Sequence, residues 1–476
     1  MKNIQIDVAV IGAGTAGLAA YRAAKTAGAS AVIIEGGPYG TTCARVGCMP
    51  SKLLIAAAEA AHGIEQAPAF GVHVDGAIRI EGREVMNRVK RERDRFVGFV
   101  LRGVDGLPQQ DRLRGHANFI DDHHIQVDTH THITARSVVI ATGSSAAFPE
   151  TFKALGDRLI ISDDVFQWDD LPKSVVVIGP GVIGLELGQA LHRLGVRVVV
   201  LGRGGRVGPI SDPEIRSCAI ATFNGEFVLD PDANVASMQR EGDGVAVTYT
   251  ALAGSKVTER FDYVLTATGR TPNVKGIGLE NTTLKIDVKG VPIFNPLTAQ
   301  TVNAGSASPI FIAGDSSNLI PVLHEASDEG RIAGENAARV ALGKPVAQGL
   351  RRVPLGVVFT DPQIAIVGGG FHALKAGTFA TGQTSFEDQG RARVMLKNKG
   401  LMNVYGDLAS GRFLGAEMLA PGAEHLGHLL SWALANKMTV TQMLEMPFYH
   451  PVIEEGLRSA LRDLEAKLRA TLTKAA

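Results

Sequence analysis

The sequence predicts an α/β protein built around two Rossmann-like dinucleotide-binding domains. A unit that runs from an apolar strand through Gly-x-Gly-x-x-Gly and a helix to a second apolar strand occurs at residues 7–35 and again at 174–202. The strands are apolar on consecutive residues, which suits a parallel sheet covered on both faces. The length of 476 residues fits about two to four domains.

Each unit carries the same three glycines, and each glycine has its own physical role. The first makes a tight turn, the second lets the backbone approach a pyrophosphate, and the third lets the helix pack closely with its N-terminus facing the phosphates. One such motif is weak evidence, whereas two in the same context predict two dinucleotide sites. The glycines are Gly12, Gly14 and Gly17 in the first unit and Gly179, Gly181 and Gly184 in the second.

The second strand of each unit ends differently. Glu35 ends the strand of the first unit, where an acid accepts hydrogen bonds from a ribose hydroxyl. In the second unit that place is Gly202, followed by Arg203 and Arg206. An arginine can pair with a 2′-phosphate, which favours NADP(H). The alternative is that both arginines are solvated loop charges and the site takes NAD(H).

Cys43 and Cys48 lie five positions apart in TTCARVGCMPSK, before a helix predicted over residues 50–61. In a regular helix two such residues differ by about 140° around the axis and ~7.5 Å along it. A disulfide needs Cα atoms roughly 4.4–6.8 Å apart, so the pair closes only if the turn is distorted. A strained, reachable bridge is typical of redox chemistry. Two buried, unpaired thiols are the alternative at this point.

Bulk composition excludes several functions. Lys plus Arg and Asp plus Glu are both 48, which indicates no nucleic-acid partner. No run approaches the ~18 consecutive apolar residues of a membrane span. Three cysteines do not make an extracellular disulfide framework. The first strand begins by residue 6, which leaves no room for a signal peptide, so we expect a cytoplasmic protein.

Further motifs occur in a characteristic order. On these motifs the chain resembles the class I pyridine nucleotide-disulfide oxidoreductases, flavoproteins that include glutathione reductase and mercuric reductase, and it is most like dihydrolipoyl dehydrogenase. The motifs are GTTCARVGCMPSK at 40–52, ATG at 141–143, ATGRTPN at 267–273, AGD at 313–315, and the pattern of His450, Pro451 and Glu455.

The resemblance implies a domain order and an assembly. It implies a C-terminal α+β dimerisation domain, an obligate homodimer, FAD as one cofactor and NAD(H) or NADP(H) as the other. The implied limits are 1–150 for the FAD domain, 151–270 for the NAD(P) domain, 271–345 for a central segment completing the FAD site, and 346–476 for the interface domain.

The resemblance also implies the binding residues. Asp315 matches a position that hydrogen-bonds the FAD ribityl chain, and Lys52 and Glu186 match a pair beside the reactive edge of the flavin. The implied FAD residues are Gly12, Gly14, Gly17, Glu35, Thr42, Lys52, Ala141, Thr142, Gly143, Gly314 and Asp315. The implied NAD(P) residues are Gly179, Gly181, Gly184, Glu186, Arg203, Arg206 and Gly269.

The implied catalytic groups are two thiols, a proton acceptor with its orienting acid, and the pair of Lys52 and Glu186. Cys43 is the thiol that meets the substrate, and Cys48 lies against the flavin. A histidine near neutral pKa suits a base for a dithiol, which assigns His450, with Glu455 orienting its ring. In this family the histidine pair comes from the partner subunit. Because His450 precedes a proline, we expect it at the start of a helix.

The sequence departs from the family pattern around the disulfide. Thr41 replaces a glycine, Arg45 an asparagine, Phe448 a frequent histidine and Val452 a frequent threonine. These positions line or support the disulfide pocket. The departures therefore bear on the identity of the substrate more than on the type of reaction.

HEASDEG at 324–330 resembles the corresponding stretch of dihydrolipoyl dehydrogenases, and this resemblance favours a dihydrolipoyl-dehydrogenase-like enzyme. Such an enzyme acts on a small dithiol or a lipoyl domain, in some cases within a 2-oxoacid dehydrogenase complex. One alternative is an NAD(P)H-dependent reductase of a low-molecular-weight disulfide, like glutathione reductase. Another is a flavin-bearing structural or electron-transfer subunit of a larger complex. The C-terminal ATLTKAA has no cysteine, which argues against mercuric reductase.

Five histidines fall within residues 116–132. The stretch is polar and rich in turns, which favours a surface meander over a metal site, and we expect no metal. Alternation places His130 and His132 on one face of a strand. The histidines are His116, His123, His124, His130 and His132.

Overall fold

The computed structural model describes residues 1–303 and 307–475. The strands are β1 (Lys2–Ile11), β2 (Ala31–Glu35), β3 (Arg112–Arg114), β4 (Ala117–Phe119), β5 (His124–Val127), β6 (Thr131–Ile140), β7 (Ser144–Ala146), β8 (Leu159–Ile160), β9 (Ser174–Ile178), β10 (Arg197–Leu201), β11 (Val228–Asp230), β12 (Val235–Glu241), β13 (Gly244–Thr250), β14 (Lys256–Phe261), β15 (Tyr263–Thr266), β16 (Arg270–Pro272), β17 (Gln300–Val302), β18 (Ala307–Ile312), β19 (Leu355–Val358), β20 (Gln363–Val367), β21 (Phe379–Ser385), β22 (Leu401–Asp407) and β23 (Phe413–Ala420).

The α-helices are α1 (Thr15–Thr26), α2 (Thr42–Val46), α3 (Cys48–Gln66), α4 (Gly82–Asp105), α5 (Ser162–Val165), α6 (Val182–Arg193), α7 (Pro213–Asn224), α8 (Leu323–Ala341), α9 (Gly390–Val394), α10 (Ala423–Ala435), α11 (Val440–Leu444) and α12 (Glu454–Ala475).

The chain divides into two compact units. The first consists of Met1–Pro50, Val89–Ala147 and Arg270–Arg351. The second consists of Ser51–Arg88, Phe148–Gly269 and the chain from Arg352 onward. Each unit groups segments that are distant in sequence. The domain limits set from the sequence stay predictions.

The first unit is built on a mainly parallel sheet with the order β17-β18-β6-β1-β2-β3. Alternate residues of β1 enter two separate cores, as the pleat of a strand requires. Val8 and Val10 pack with α1 and α8, and Ala9 and Ile11 pack into the core on the opposite face. Burial on both faces explains why the strand is apolar on consecutive residues.

The second unit contains a parallel sheet and two antiparallel sheets. The parallel sheet has the order β11-β10-β9-β15-β8, and β12, β13 and β14 form a separate antiparallel sheet. The C-terminal sheet has the order β19-β20-β23-β22-β21, with buried residues of α10 and α12 in its core. The predicted fold class, two Rossmann-like domains followed by an α+β domain, is confirmed.

Two smaller observations concern the histidine-rich stretch and membranes. The stretch forms β4, β5 and β6 as an antiparallel arrangement. His130 lies in the turn before β6, so the expectation that it shares a strand face with His132 is wrong. In the part of the chain that the structure describes, no helix is long and apolar enough to cross a bilayer.

Candidate active site

Cys43 and Cys48 lie on either side of a break between two helices. Cys43 is in α2, and Cys48 is the first residue of α3. Gly47 separates the helices with φ −128° and ψ −115°, far from helical values. A disulfide between the two cysteines would need a distorted turn of this kind. Cys43 is half-buried and Cys48 is exposed.

The start of α3 and the backbone of Thr41 define the two ends of this turn. Helix α3 begins at Cys48, two residues before Pro50. The proline is tolerated inside the helix because a backbone N–H in the first helical turn has no intrahelical partner that could be lost. Thr41 has φ 60° and ψ 150°, a conformation that glycine adopts far more easily. Its hydroxyl accepts a hydrogen bond from Ala44 N–H at 3.3 Å and so caps α2.

The first glycine motif lies between β1 and α1. Gly12 has φ +103°, and a Cβ there would lie 2.3 Å from the carbonyl oxygen of Ala141. A Cβ at Gly17 would lie 1.8 Å from the carbonyl oxygen of Gly12. A Cβ at Gly14, the N-cap residue of α1, would meet no heavy atom within 4 Å. Gly12 and Gly17 thus serve the packing of the chain, and Gly14 faces open space.

Polar groups surround the carboxyl ends of the first sheet. The Glu35 carboxylate accepts the N–H groups of Ala13 and Gly37, each at 2.7 Å, through different oxygens. Thr142, which follows β6, has a buried Oγ1 without a hydrogen-bond partner among the described residues. Gly143, with φ +70°, comes next.

Asp315 lies in the turn that follows β18. Its Oδ2 accepts a hydrogen bond from Ser144 Oγ at 2.7 Å, and Ser144 Oγ accepts one from Arg270 Nε at 2.8 Å. Gly314, the residue before it, has φ +73°. The N–H of Gly314 donates to the Glu329 carboxylate at 2.9 Å.

The second glycine motif has almost the same geometry as the first. Gly179 has φ +110°, and a Cβ there would lie 2.5 Å from the carbonyl oxygen of Ala267. A Cβ at Gly184 would lie 2.0 Å from the carbonyl oxygen of Gly179, whereas a Cβ at Gly181 has its nearest heavy atom at 3.9 Å. Gly181 caps α6 as Gly14 caps α1. Gly269 has φ +129° and open space around a Cβ.

The loop after β10 leaves no room for a side chain at Gly202. A Cβ there would lie 2.6 Å from the carbonyl oxygen of Pro231 and 2.7 Å from the ring of Pro180. Arg203 and Arg206 are the exposed cations that follow. The absence of an acid at this strand end therefore has a steric cause.

Lys52 and Glu186, predicted as a pair, form an ion pair. Lys52 Nζ lies 2.7 Å from Glu186 Oε2 and 4.6 Å from the centroid of the Phe359 ring. Glu186 is 5% exposed, and its other oxygen accepts the N–H of Phe359 at 2.9 Å. One buried carboxylate thus orients both the ammonium group and the start of the loop after β19.

His450 and Glu455 form the second predicted pair. The Nδ1 atom of His450 lies 3.0 Å from Glu455 Oε2, and this hydrogen bond is the first cause that holds the pKa of Glu455 below its usual value. The imidazole is 81% exposed. His450 lies four residues before α12, which begins at Glu454, so the expectation that it starts a helix is wrong.

The sequence did not identify three residues that hold these groups. Arg458 donates to Glu455 at 2.9 Å, one turn along α12. Phe359 anchors Glu186, and Ser144 anchors Asp315. Arg458 has a weak sequence signal, its spacing of three from an acid on a helix. Phe359 and Ser144 act from positions more than a hundred residues from their partners.

Metal binding has no geometric support in the histidine-rich stretch. Within residues 1–303 and 307–475, no group of three or more His, Cys, Asp or Glu residues is arranged to hold a metal ion. The Nδ1 atom of His123 contacts the carbonyl oxygen of Ala135 at 2.9 Å, and that of His124 contacts Asp121 at 2.8 Å.

Comparison with protein families gives two matches. Residues 6–330 match the family described as pyridine nucleotide-disulphide oxidoreductase. Residues 355–461 match the dimerisation domain of the same family.

Comparison with individual proteins gives matches along nearly the whole chain. A mercuric reductase of Acidithiobacillus ferrooxidans is 31% identical over 465 residues, which cover 96% of this chain and 82% of that protein. A dihydrolipoyl dehydrogenase of Chlamydia trachomatis is 30% identical over 465 residues, which cover 95% of each. The structure of LpdA from Mycobacterium tuberculosis is similar with a TM-score of 0.80 at 25% identity, over 97% of this chain and 99% of that one.

Proposed function

The chain belongs to the pyridine nucleotide-disulphide oxidoreductase family, and from this premise we propose that it oxidises the dithiol of a lipoyl group with Cys43 and Cys48 as its redox pair. It is an FAD-dependent pyridine nucleotide-disulfide oxidoreductase, since the family uses FAD and NAD(P)H. The observation that carries the proposal is the break at Gly47, which frees the two cysteines from the spacing of a regular helix.

The residues of the first unit fit FAD. Gly14 leaves open space before the N-terminus of α1, where N–H groups favour a pyrophosphate. Glu35 uses two hydrogen bonds of the roughly four that a carboxylate accepts, which leaves capacity for ribose hydroxyls. Thr142 offers a buried, unsatisfied hydroxyl among the described residues. When bound, FAD supplies a two-electron carrier between the cysteine pair and the pyridine nucleotide.

The chemistry assigned to the cysteines is thiol–disulfide exchange. A substrate thiolate attacks Cys43 Sγ, which breaks the Cys43–Cys48 bond and leaves Cys48 as a thiolate. The second substrate sulfur then attacks the first, forms the substrate disulfide and releases Cys43. Two electrons and two protons leave the substrate: the electrons reside on the cysteines, one proton passes to the assigned base, and the other passes to the sulfur of the released Cys43. The N-terminus of α3 favours the negative charge on Cys48.

The proton acceptor assigned to this exchange is His450. Glu455 holds its Nδ1 side, which leaves Nε2 to take the proton from the dithiol. The match of residues 355–461 to a dimerisation domain supports a homodimer. We propose that the dimer is obligate and that the exposed His450 of one subunit serves the cysteines of the other.

For the pyridine nucleotide we propose NADP(H). The closed space at Gly202 excludes an acid that would accept a ribose 2′-hydroxyl. Arg203 and Arg206 are exposed beside it and suit a 2′-phosphate. Lys52 and Glu186 are assigned to the flavin edge that exchanges electrons with the nicotinamide.

The second candidate is an NAD(P)H-dependent reductase of a low-molecular-weight disulfide. The same loop at Gly202 favours it, because reductive enzymes commonly draw on NADPH. The third is a flavin-bearing subunit of a larger complex with little turnover of its own. Membership of a 2-oxoacid dehydrogenase complex belongs with the first proposal. A cytoplasmic location is proposed from the sparse use of cysteine.

Steady-state turnover distinguishes these functions. The purified, flavin-loaded protein is assayed with dihydrolipoamide and either NAD⁺ or NADP⁺, and with lipoamide, glutathione disulfide or Hg²⁺ and either reduced nucleotide. We expect turnover of dihydrolipoamide that Cys43→Ser abolishes. Cys218→Ser is the matched control, because this third cysteine lies in α7.

The outcomes separate the candidates. Turnover with glutathione disulfide alone would support the second candidate, and no turnover of any pair by a flavin-loaded dimer would support the third. Cys43→Ser with normal turnover would refute the assignment of the redox pair.

A further inference from the structure

A buried ion-pair network lies at the start of α8 in the first unit. Glu325 and Glu329 are one helical turn apart and are 2% and 3% exposed. Arg351 donates to both, to Glu325 Oε2 at 2.8 Å and to Glu329 Oε1 at 3.0 Å. One guanidinium group thus pairs with two buried carboxylates.

The second oxygen of Glu329 reaches a different element. Glu329 Oε2 accepts the N–H of Gly314 at 2.9 Å and the hydroxyl of Ser317 at 3.0 Å. These are the first and last residues of the 3₁₀ turn Gly314–Ser317, which contains Asp315. Burial raises the pKa of Glu329, and Arg351 opposes that effect. Since Arg351 and Gly314 can only donate, the charged carboxylate is the form that satisfies them.

Asp315 is therefore fixed from two sides. Ser144 Oγ holds its carboxylate at 2.7 Å, and Glu329 holds the backbone just before it. We propose that Glu329, charged and oriented by Arg351, is a positioning residue that sets the Gly314–Ser317 turn for FAD. This inference rests on the role assigned to Asp315 in the proposed function.

Glu325 provides a control within the same network. It has the same burial and the same arginine partner as Glu329, yet its Oε1 has no hydrogen-bond partner among the described residues. A glutamine at 325 can keep its amide oxygen hydrogen-bonded to Arg351. Its NH₂ group then takes the place of Oε1, which no donor contacts among the described residues. A glutamine at 329 faces Arg351 on one side and the Gly314 N–H on the other. In either orientation of the amide, its NH₂ group therefore faces one of these donors and cannot bond to it.

The loss at position 329 should fall on the Gly314 N–H. The amide oxygen is expected to face Arg351, because hydrogen bonds to charged groups are stronger than neutral ones. An unsatisfied buried N–H corresponds to a roughly 5- to 150-fold change in an equilibrium constant. Because FAD requires the turn in place, we expect this loss in the affinity for FAD, whereas a loss borne equally without FAD would appear in urea unfolding instead.

The test compares three variants of the full chain: Glu329→Gln, Glu325→Gln and Asp315→Ala. Each apoprotein is titrated with FAD by flavin fluorescence, and its urea unfolding is recorded without FAD. We expect Glu329→Gln to raise the Kd for FAD by about tenfold or more, within the range that one lost hydrogen bond allows. Glu325→Gln should raise it less than about threefold, although both variants lose a charge beside Arg351.

The outcomes separate the inference from the function on which it rests. Equal Kd values for the two glutamine variants, with Asp315→Ala weakened, would mean that the network only stabilises the fold. An Asp315→Ala variant that binds FAD normally would instead overturn the assigned role of Asp315. If Glu329→Gln does not fold, Arg351→Lys takes its place, because it keeps the charge but not two simultaneous, fork-shaped contacts.

Discussion

Replacing Gly14 with alanine tests whether this glycine serves the binding of a dinucleotide rather than the packing of the chain. Gly14 has φ −76° and ψ −170°, which alanine adopts without strain. No heavy atom lies within 4 Å of a Cβ there. We therefore expect Gly14→Ala to fold, with an unfolding free energy within about 1 kcal/mol of the parent, the usual range for an N-cap change.

The effect on FAD should be much larger. The added methyl group occupies the space before the N-terminus of α1, so a pyrophosphate can no longer approach the backbone. Losing one hydrogen bond between an N–H and a charged phosphate costs about 1.5–3 kcal/mol. The Kd for FAD should therefore rise by about 10- to 150-fold, measured by fluorescence titration of the apoprotein.

Gly181→Ala is the matched variant in the second unit. Its φ of −78° and ψ of −173° repeat those of Gly14, and the nearest heavy atom to a Cβ is 3.9 Å away. We expect this variant to keep its FAD and to show a raised KM for the pyridine nucleotide. Gly14→Ala with parental FAD affinity, or equal FAD loss in both variants, would refute the assignment of the two motifs.

Three further predictions concern single side chains. His450→Gln should lower kcat by about 10²–10⁴-fold, because it removes the assigned base. Glu455→Gln should lower kcat by less, because it removes only the group that orients that base, and an equal loss would contradict this. Cys48→Ser should abolish the long-wavelength absorption of the two-electron-reduced enzyme, and a persisting band would exclude Cys48 as the thiol beside the flavin. Burial, followed by the hydrogen bond to Asp111, raises the pKa of Tyr21. Above about pH 10 tyrosine ionises in the unfolded chain but not in the native protein, which lowers the unfolding free energy of the parent. The difference in unfolding free energy between the parent and Tyr21→Phe should therefore be largest below about pH 10 and should shrink above it. Urea unfolding at two pH values measures this, and a pH-independent difference would contradict it.

The sequence predicted positions where backbone sterics permit few residues. Gly12, Gly17, Gly179 and Gly184 stand where a Cβ would overlap a carbonyl oxygen, so the motif itself fixes the strand–turn–helix geometry. A disulfide between Cys43 and Cys48 likewise needs a break in the helix, and the structure has a break at Gly47. Such constraints are local, and a few neighbouring letters are enough to state them.

Partners brought together by tertiary packing could not be predicted in this way. Arg351 is separated from Glu329 by 22 residues, and Phe359 from Glu186 by 173. Neither pair has a periodic spacing, because the contacts arise only when a loop returns to a helix. The motif HEASDEG contains Glu329 but does not reveal that this carboxylate holds the turn before Asp315.

Thr41 shows how a departure from a family motif can have a backbone cause. From the sequence, threonine in place of glycine suggested a change in the pocket and thus in the substrate. Its φ of 60° and ψ of 150° lie in a region that costs a non-glycine residue of order 1–3 kcal/mol. The hydroxyl caps α2, and an N-cap contributes about 0.5–2 kcal/mol, so the two effects nearly offset each other. Thr41 thus occupies a backbone conformation that favours glycine, and its hydroxyl caps the helix that carries Cys43. This backbone role by itself gives no reason to assign a different substrate.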